Sequence, residues 1–208
     1  KMKSFISIVM VLVLGVLTNS CIQNAEQKNA EHEKQLKPGQ SLGIASVPNL
    51  RDVGGYTTKE GKTVARGIAY RSNQLNPVSE DDMKKIAALG LKNDYDLRTK
   101  AEVKERPDQI PDGVQYTLLN VLADADQPGP AMLEKLMHNP KEANEKLGGG
   151  KIDTLFIKGY REFISLPSAK SAYRELFLSL GDPAKTPALF HCTTGKDRTG
   201  WGSAALLS

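Results

Sequence analysis

Sulfur is scarce in this chain: its 208 residues include two cysteines, Cys21 and Cys192. With one of them near the N-terminus, the body of the protein holds a single thiol. That excludes an internal disulfide framework and a cysteine-rich zinc site. Aromatic residues are few as well, 6% of the chain with one tryptophan, and no basic run is interleaved with them. This removes the stacking platforms and cationic tracks of a nucleic-acid-binding protein. The net charge is only +4, and Lys1 and Lys3 supply half of it. Attraction for any anion must then come from a local site and not from a global field. The longest apolar run, Phe5 to Leu17, is thirteen residues interrupted by Ser7 and Gly15, too short to cross a bilayer comfortably as a helix.

What stands at the N-terminus reads as targeting. Lys1-Met2-Lys3 is a basic lead-in to the apolar run, and Thr18-Asn19-Ser20-Cys21 sets a small residue directly before a cysteine. The arrangement resembles a lipoprotein signal. Residues 1–20 are expected to be a signal peptide, Cys21 the lipidated residue, and residues 21–45 a polar tether with His32 as a surface residue. The expected localisation is extracytoplasmic, on the bacterial envelope through the lipid anchor alone, with simple secretion as the second reading.

Residues 46–208 suit one domain. Asn49-Leu50-Arg51-Asp52-Val53-Gly54-Gly55-Tyr56, a polar turn and then Thr63 to Ser72 predict an opening β-hairpin. Arg51 and Asp52 are expected to form structural hydrogen bonds there. Ser79-x-x-Asp82 starts a helix through Leu89 that Gly90 ends, and Leu91 to Leu97 is a strand. Thr99-x-x-Glu102 caps a short helix stopped before Pro107, and Val114 to Leu122 is the next strand. Ala131 to Leu180 is helical in pattern, broken near Asn139-Pro140, at Gly148-Gly149-Gly150 and at Pro167, with His138 at a helix end. In it Leu155, Phe156, Tyr160, Phe163 and Ile164 recur at helical spacing, as core or lid packing. Strands separated by helices predict an α/β fold with a central, largely parallel sheet flanked by helices.

The chemistry concentrates in His191-Cys192-Thr193-Thr194-Gly195-Lys196-Asp197-Arg198-Thr199-Gly200. Pro187 to Phe190 leads in as a strand, and small residues after Gly200 lead out as a helix. A loop wrapped over a helix N-terminus directs backbone N–H groups at one point, with the positive end of the dipole behind them. Arg198 adds a planar fork matched to two phosphate oxygens. The same field favours the thiolate of Cys192, so nucleophile and oxyanion clamp converge on one phosphate. A nucleotide-binding Walker loop does not fit, because Phe190 stands where its first glycine belongs and Asp197 where its hydroxyl belongs. No second ligand has metal spacing to His191, and the chemistry calls for no metal or cofactor.

The His-Cys-x5-Arg-Thr pattern resembles the signature loop of the cysteine-dependent protein tyrosine phosphatase superfamily. The fuller string with Lys196 and Asp197 is similar to its bacterial branch of tyrosine and phosphoinositide phosphatases. The box from Asn49 to Tyr56, then Tyr70-Arg71-Ser72 and Asp96-Leu97-Arg98-Thr99 with Glu102, fit the same branch in order. The resemblance implies a tyrosine-phosphatase-like fold and phosphomonoester hydrolysis through a cysteinyl-phosphate. The expected substrate is a phosphotyrosine protein, with phosphoserine/threonine, phosphoinositide or small phosphomonoesters as alternatives. Cys192 is then the nucleophile, and Thr193, Thr194, Gly195, Lys196, Asp197 and Arg198 bind phosphate. Thr199 assists the sulfur, and His191 tunes the site without acting as a base. For the general acid the order is Asp197, Asp124 (with Asp126 beside it) and Asp96. Asp197 has a salt bridge to Arg98 or a lysine as its other reading, and Asp96 has the orientation of Arg198. A helical insertion ahead of the signature strand is implied to cover the site. The chain stops ten residues after Arg198, so a catalytic domain lacking its C-terminal helices is expected. A phosphate-binding envelope lipoprotein without turnover is the rival function, and the oligomeric state is open.

Overall fold

The computed structural model describes residues 36–125, 139, 141, 145 and 151–208. The signal segment, Cys21, His32, Asp126, His138, and the helix breaks at Pro140 and at 148–150 lie outside the described residues. Pro38–Ser208 forms one compact unit.

Five strands make one sheet. They are β1 (Arg51–Asp52), β2 (Ala69–Asn73), β3 (Asn93–Asp96), β4 (Gln115–Leu118) and β5 (Ala188–Cys192). Their order is β1-β2-β5-β3-β4; only the β1–β2 pair is antiparallel, as the alternating strand and helix pattern led one to expect. The helices among the described residues are α1 (Glu80–Ala87), α2 (Lys100–Glu105), α3 (Lys151–Ser165), α4 (Pro167–Leu180) and α5 (Asp197–Leu206). β5 is central and buried at every residue. Alternation along it sends Ala188, Phe190 and Cys192 into one core with Tyr95, Phe163, Tyr173 and Leu176. Leu189 enters a second core with Leu50, Tyr70, Leu75 and Ile86.

Local rules account for the helix starts. Ser79 accepts from the Asp82 backbone N–H at 3.3 Å, but Asp82 turns away to accept from the Ser46 N–H and hydroxyl at 2.8 Å each, so the capping box there is half formed. At Thr99 it is complete: Glu102 N–H donates to Thr99 Oγ1 at 3.3 Å, and Thr99 N–H donates to Glu102 Oε2 at 2.9 Å. Pro167 opens α4, where a missing N–H costs nothing. The predicted strand from Thr63 to Ser72 is shorter in the structure. Gly67 has φ +68°, outside strand geometry, so only a bridge at Thr63 and the run from Ala69 pair.

Candidate active site

Cys192 ends β5 and α5 begins at Asp197, so Thr193 to Lys196 form the turn between them. Three carbonyls along that turn are held from outside. Thr193 O accepts from Gln74 N–H at 3.2 Å, Thr194 O from Asn49 Nδ2 at 2.9 Å, and Gly195 O from Arg71 Nη2 at 2.6 Å. A trans peptide sets its N–H opposite its carbonyl. Outward carbonyls therefore turn the N–H groups of Thr194, Gly195 and Lys196 inward, toward the cradle over Cys192. Gly195 has φ +70°, and a Cβ there would meet Ser72 O at 2.4 Å, so glycine is required at this point. The N-terminus of α5 carries no side-chain cap, which leaves its first N–H groups directed at the same cradle. The blocks around Asn49 and Arg71, far away in sequence, thus meet at the loop.

Arg198 is 1% exposed and Cys192 is 2% exposed. The arginine fork is positioned by Glu102: Nη1 donates to Oε2 at 2.9 Å and Nη2 to Oε1 at 2.6 Å. Burial alone would raise the Glu102 carboxyl, but the Arg198 guanidinium and the Thr193 hydroxyl hold it down at about 2. Burial likewise opposes the Arg198 charge, and Glu102 and Cys192 outweigh it and raise the guanidinium further. Arg198 Nε is buried without a hydrogen-bond partner among the described residues. Tyr173 anchors the first turn of α5 by donating to Arg198 O at 2.8 Å. Glu102 is the residue the sequence reading placed only as a helix cap. The local signal was its capping box, whereas its second role depends on a partner 96 positions away.

Asp96 makes no hydrogen bond to Arg198 among the described residues, although its charge favours the guanidinium. Its two oxygens accept from Arg98 Nε at 3.0 Å each, from Arg98 Nη2 at 2.7 Å and from Tyr116 at 2.9 Å. Burial opposes its charge, yet His191 and Arg98 hold it down at about 2. Asp124 is also committed elsewhere: Oδ2 accepts from Ser168 N–H at 2.7 Å, capping the first turn of α4 in place of Leu166. Asp197, at the start of α5, accepts a hydrogen bond from Tyr160 of α3. Arg98, its other suggested partner, is taken by Asp96 and Asp108. Thr194 and Lys196 are exposed, whereas Thr199 is buried with Oγ1 unpaired among the described residues. Asp52 meets its structural role, accepting from Gly54 and Gly67 N–H at 2.7 and 2.9 Å. Arg51 Nε is buried without a hydrogen-bond partner among the described residues.

His191 points to the opposite face of β5 from Cys192. Its Nε2 lies 3.4 Å from both Asp94 Oδ1 and Asp108 Oδ2, and Nδ1 lies 3.9 Å from Asp96 Oδ1. Burial would lower the imidazole, but these carboxylates push it up to about 10. Burial pushes Asp108 up to about 6 against the pull of His191 and Arg98. The donor atoms of Asp94, Asp108 and His191 lie within 4.8 Å of one another. The imidazolium and Arg98 already supply the cationic charge at this cluster. Because the folded state raises His191 from 6.5 to about 10, the stability it contributes is complete below pH 6.5 and lost as pH rises through about 10. Urea midpoints are expected to fall across that interval, and His191→Asn to flatten the fall. A parent midpoint independent of pH there would contradict the charged imidazole.

Residues 42–208 match the tyrosine phosphatase family. The triple specificity protein phosphatase PtpB of Mycobacterium tuberculosis is 29% identical over 181 residues, covering 80% of this chain and 63% of that protein. A tyrosine-protein phosphatase of Nostoc commune is 28% identical over 211 residues, 97% of this chain and 65% of its own length. A Cupriavidus necator homologue with a provisional tyrosine-protein phosphatase name is 28% identical over 169 residues, 80% of this chain and 56% of its own. The chain spans less than two thirds of the length of each of these relatives. With a family match across all the described strands and helices, this chain belongs to the tyrosine phosphatase family.

Proposed function

We propose that this chain hydrolyses phosphomonoesters, phosphotyrosine in proteins first among them, through a cysteinyl-phosphate on Cys192. The observation that carries the reading is the cradle itself: three carbonyls pinned outward over a buried thiol, with the Arg198–Glu102 pair at its side. Cys192 thiolate attacks phosphorus, the S–P bond forms and the ester O–P bond breaks, and the leaving oxygen takes a proton from Asp197. Water then attacks phosphorus, the S–P bond breaks, and Asp197 takes the proton from that water. The loop N–H groups and Arg198 stabilise the equatorial oxygens in both steps. Phosphate release from p-nitrophenyl phosphate and from phosphotyrosine, phosphoserine and phosphoinositide substrates tests this. A folded chain that turns over none of them would leave the rival reading, oxyanion binding without turnover.

Asp197 is the acid this arrangement supports best. Loss of an acid spares good leaving groups and cripples poor ones, so Asp197→Asn is expected to retain aryl phosphate turnover and lose alkyl phosphate turnover. A uniform drop would reject the role. Tyr160 holds that carboxyl toward α3, and the bond must break before the carboxyl turns to a leaving group. Tyr160→Phe is therefore expected to raise kcat on alkyl phosphates roughly two- to tenfold and leave p-nitrophenyl phosphate unchanged. Equal change on both would place Tyr160 in packing alone.

An extracytoplasmic, lipid-anchored placement is the reading that the first 21 residues support, and labelling with palmitate that disappears in Cys21→Ser tests it. Unlabelled protein found free in the medium would favour simple secretion.

A further inference from the structure

Two arginines beside the phosphate loop have no carboxylate partner among the described residues. Arg51 of β1 and Arg71 of β2 are paired directly across the antiparallel ladder, so their side chains share one face. Like charges in that arrangement repel. Among the described residues no carboxylate lies within ion-pair distance of either, and Asp52 has both its oxygens on the Gly54 and Gly67 N–H groups. The Nε atoms of both arginines are buried without a hydrogen-bond partner among the described residues, although each residue stays partly exposed. Burial, then Arg51, draw the Arg71 guanidinium below its usual range, and Cys192 and Tyr56 act in the other direction.

The pair sits on the flank of the cradle. Arg71 Nη2 donates to Gly195 O at 2.6 Å, and a Cβ at Gly200 would lie 3.8 Å from the same atom. The contrast with Arg198 is informative. Arg198 has Glu102 as its partner at rest, whereas no carboxylate among the described residues pairs with Arg51 or Arg71, and both stay partly exposed.

We propose that Arg51 and Arg71 form a second anion subsite, which takes a further phosphate group on the same molecule as the phosphate being cleaved. The inference rests on the phosphomonoesterase reading above and adds the substrate class: compounds with two phosphates close together, in preference to simple monoesters. Arg71 touches the loop itself, so a phosphate bound there is a neighbour of the scissile one and not a distant allosteric ligand. Arg51 reaches this face through its pairing with Arg71, with no hydrogen bond to the loop among the described residues, and is the residue to change.

The test compares phenyl phosphate with ortho-, meta- and para-phenylene bisphosphate. The parent is expected to show a higher kcat/KM, through KM, on at least one bisphosphate isomer. Arg51→Met is expected to remove roughly ten- to hundredfold of that advantage and to leave phenyl phosphate turnover and the melting temperature unchanged, with Arg51→Lys retaining part of it. A parent that hydrolyses phenyl phosphate but prefers no isomer overturns the subsite. So does Arg51→Met lowering both substrate types equally. Should the parent hydrolyse none of the esters, equilibrium binding of the same compounds by Cys192→Ser decides. Tighter, Arg51-dependent binding of a bisphosphate supports the subsite even as the hydrolase reading falls. Equal binding of mono- and bisphosphate overturns it.

Discussion

Cys192→Ser is expected to fold, to bind oxyanions and to lose phosphate release by a factor on the order of 10⁴ or more. Cys192 is 2% exposed at the end of a wholly buried strand, and serine is close to it in volume, so the core tolerates the change. What disappears is the sulfur nucleophile whose S–P bond the two-step transfer needs. The loop hydroxyls of Thr193 and Thr194 cannot replace it: Thr193 donates to Glu102, and Thr194 is exposed at the turn. Steady-state kinetics with a melting curve on the same sample checks this. Turnover within tenfold of the parent would remove the thiol from the mechanism.

The second large effect is expected at Glu102. Glu102→Gln keeps an acceptor for the Thr99 N–H, so the start of α2 survives, but it removes the charge that holds Arg198. Breaking one side of a buried ion pair costs about 3–5 kcal/mol, because the remaining charge is left uncompensated. Freed from its two bonds, the fork no longer meets the equatorial oxygens in register, and kcat is expected to fall roughly 10²-fold. An oxyanion in the cradle supplies the missing negative charge. Vanadate or phosphate is therefore expected to raise the melting temperature of the variant more than that of the parent. A variant with parental kcat and an unchanged melting temperature would show that Arg198 is positioned by the loop alone.

The legible parts of this protein were those written in short stretches of chain. The Cys192–Arg198 spacing needs only six consecutive peptide bonds to place thiol, loop and guanidinium together. The Thr99–Glu102 box forms because its two hydrogen bonds close within one helical turn. Strands alternating with helices implied the parallel sheet for a similar reason, since parallel neighbours need a crossover between them. Pairings made by the sheet were not legible. Asp96 and Arg98 lie two residues apart, yet their bond to each other became evident only once β3, β2 and the segment at Asp108 surrounded them. Asp124 follows a strand in a polar loop, and only the packing of α4 beside that loop shows its carboxylate accepting from Ser168 N–H. The Tyr160 contact with Asp197 joins two helices 37 positions apart, and no periodicity in either helix encodes it. Arg51 shows the same limit. Its sequence block suggested a structural bond, and only the strand register set it against Arg71.

The most direct test of the account mixes the chain rapidly with a radiolabelled phosphate ester, quenches in acid and maps the label. The account predicts phosphoryl groups on the peptide that carries Cys192, formed before free phosphate appears and absent in Cys192→Ser. Free phosphate formed from the first turnover with no label on Cys192, or with label on another residue, would contradict it.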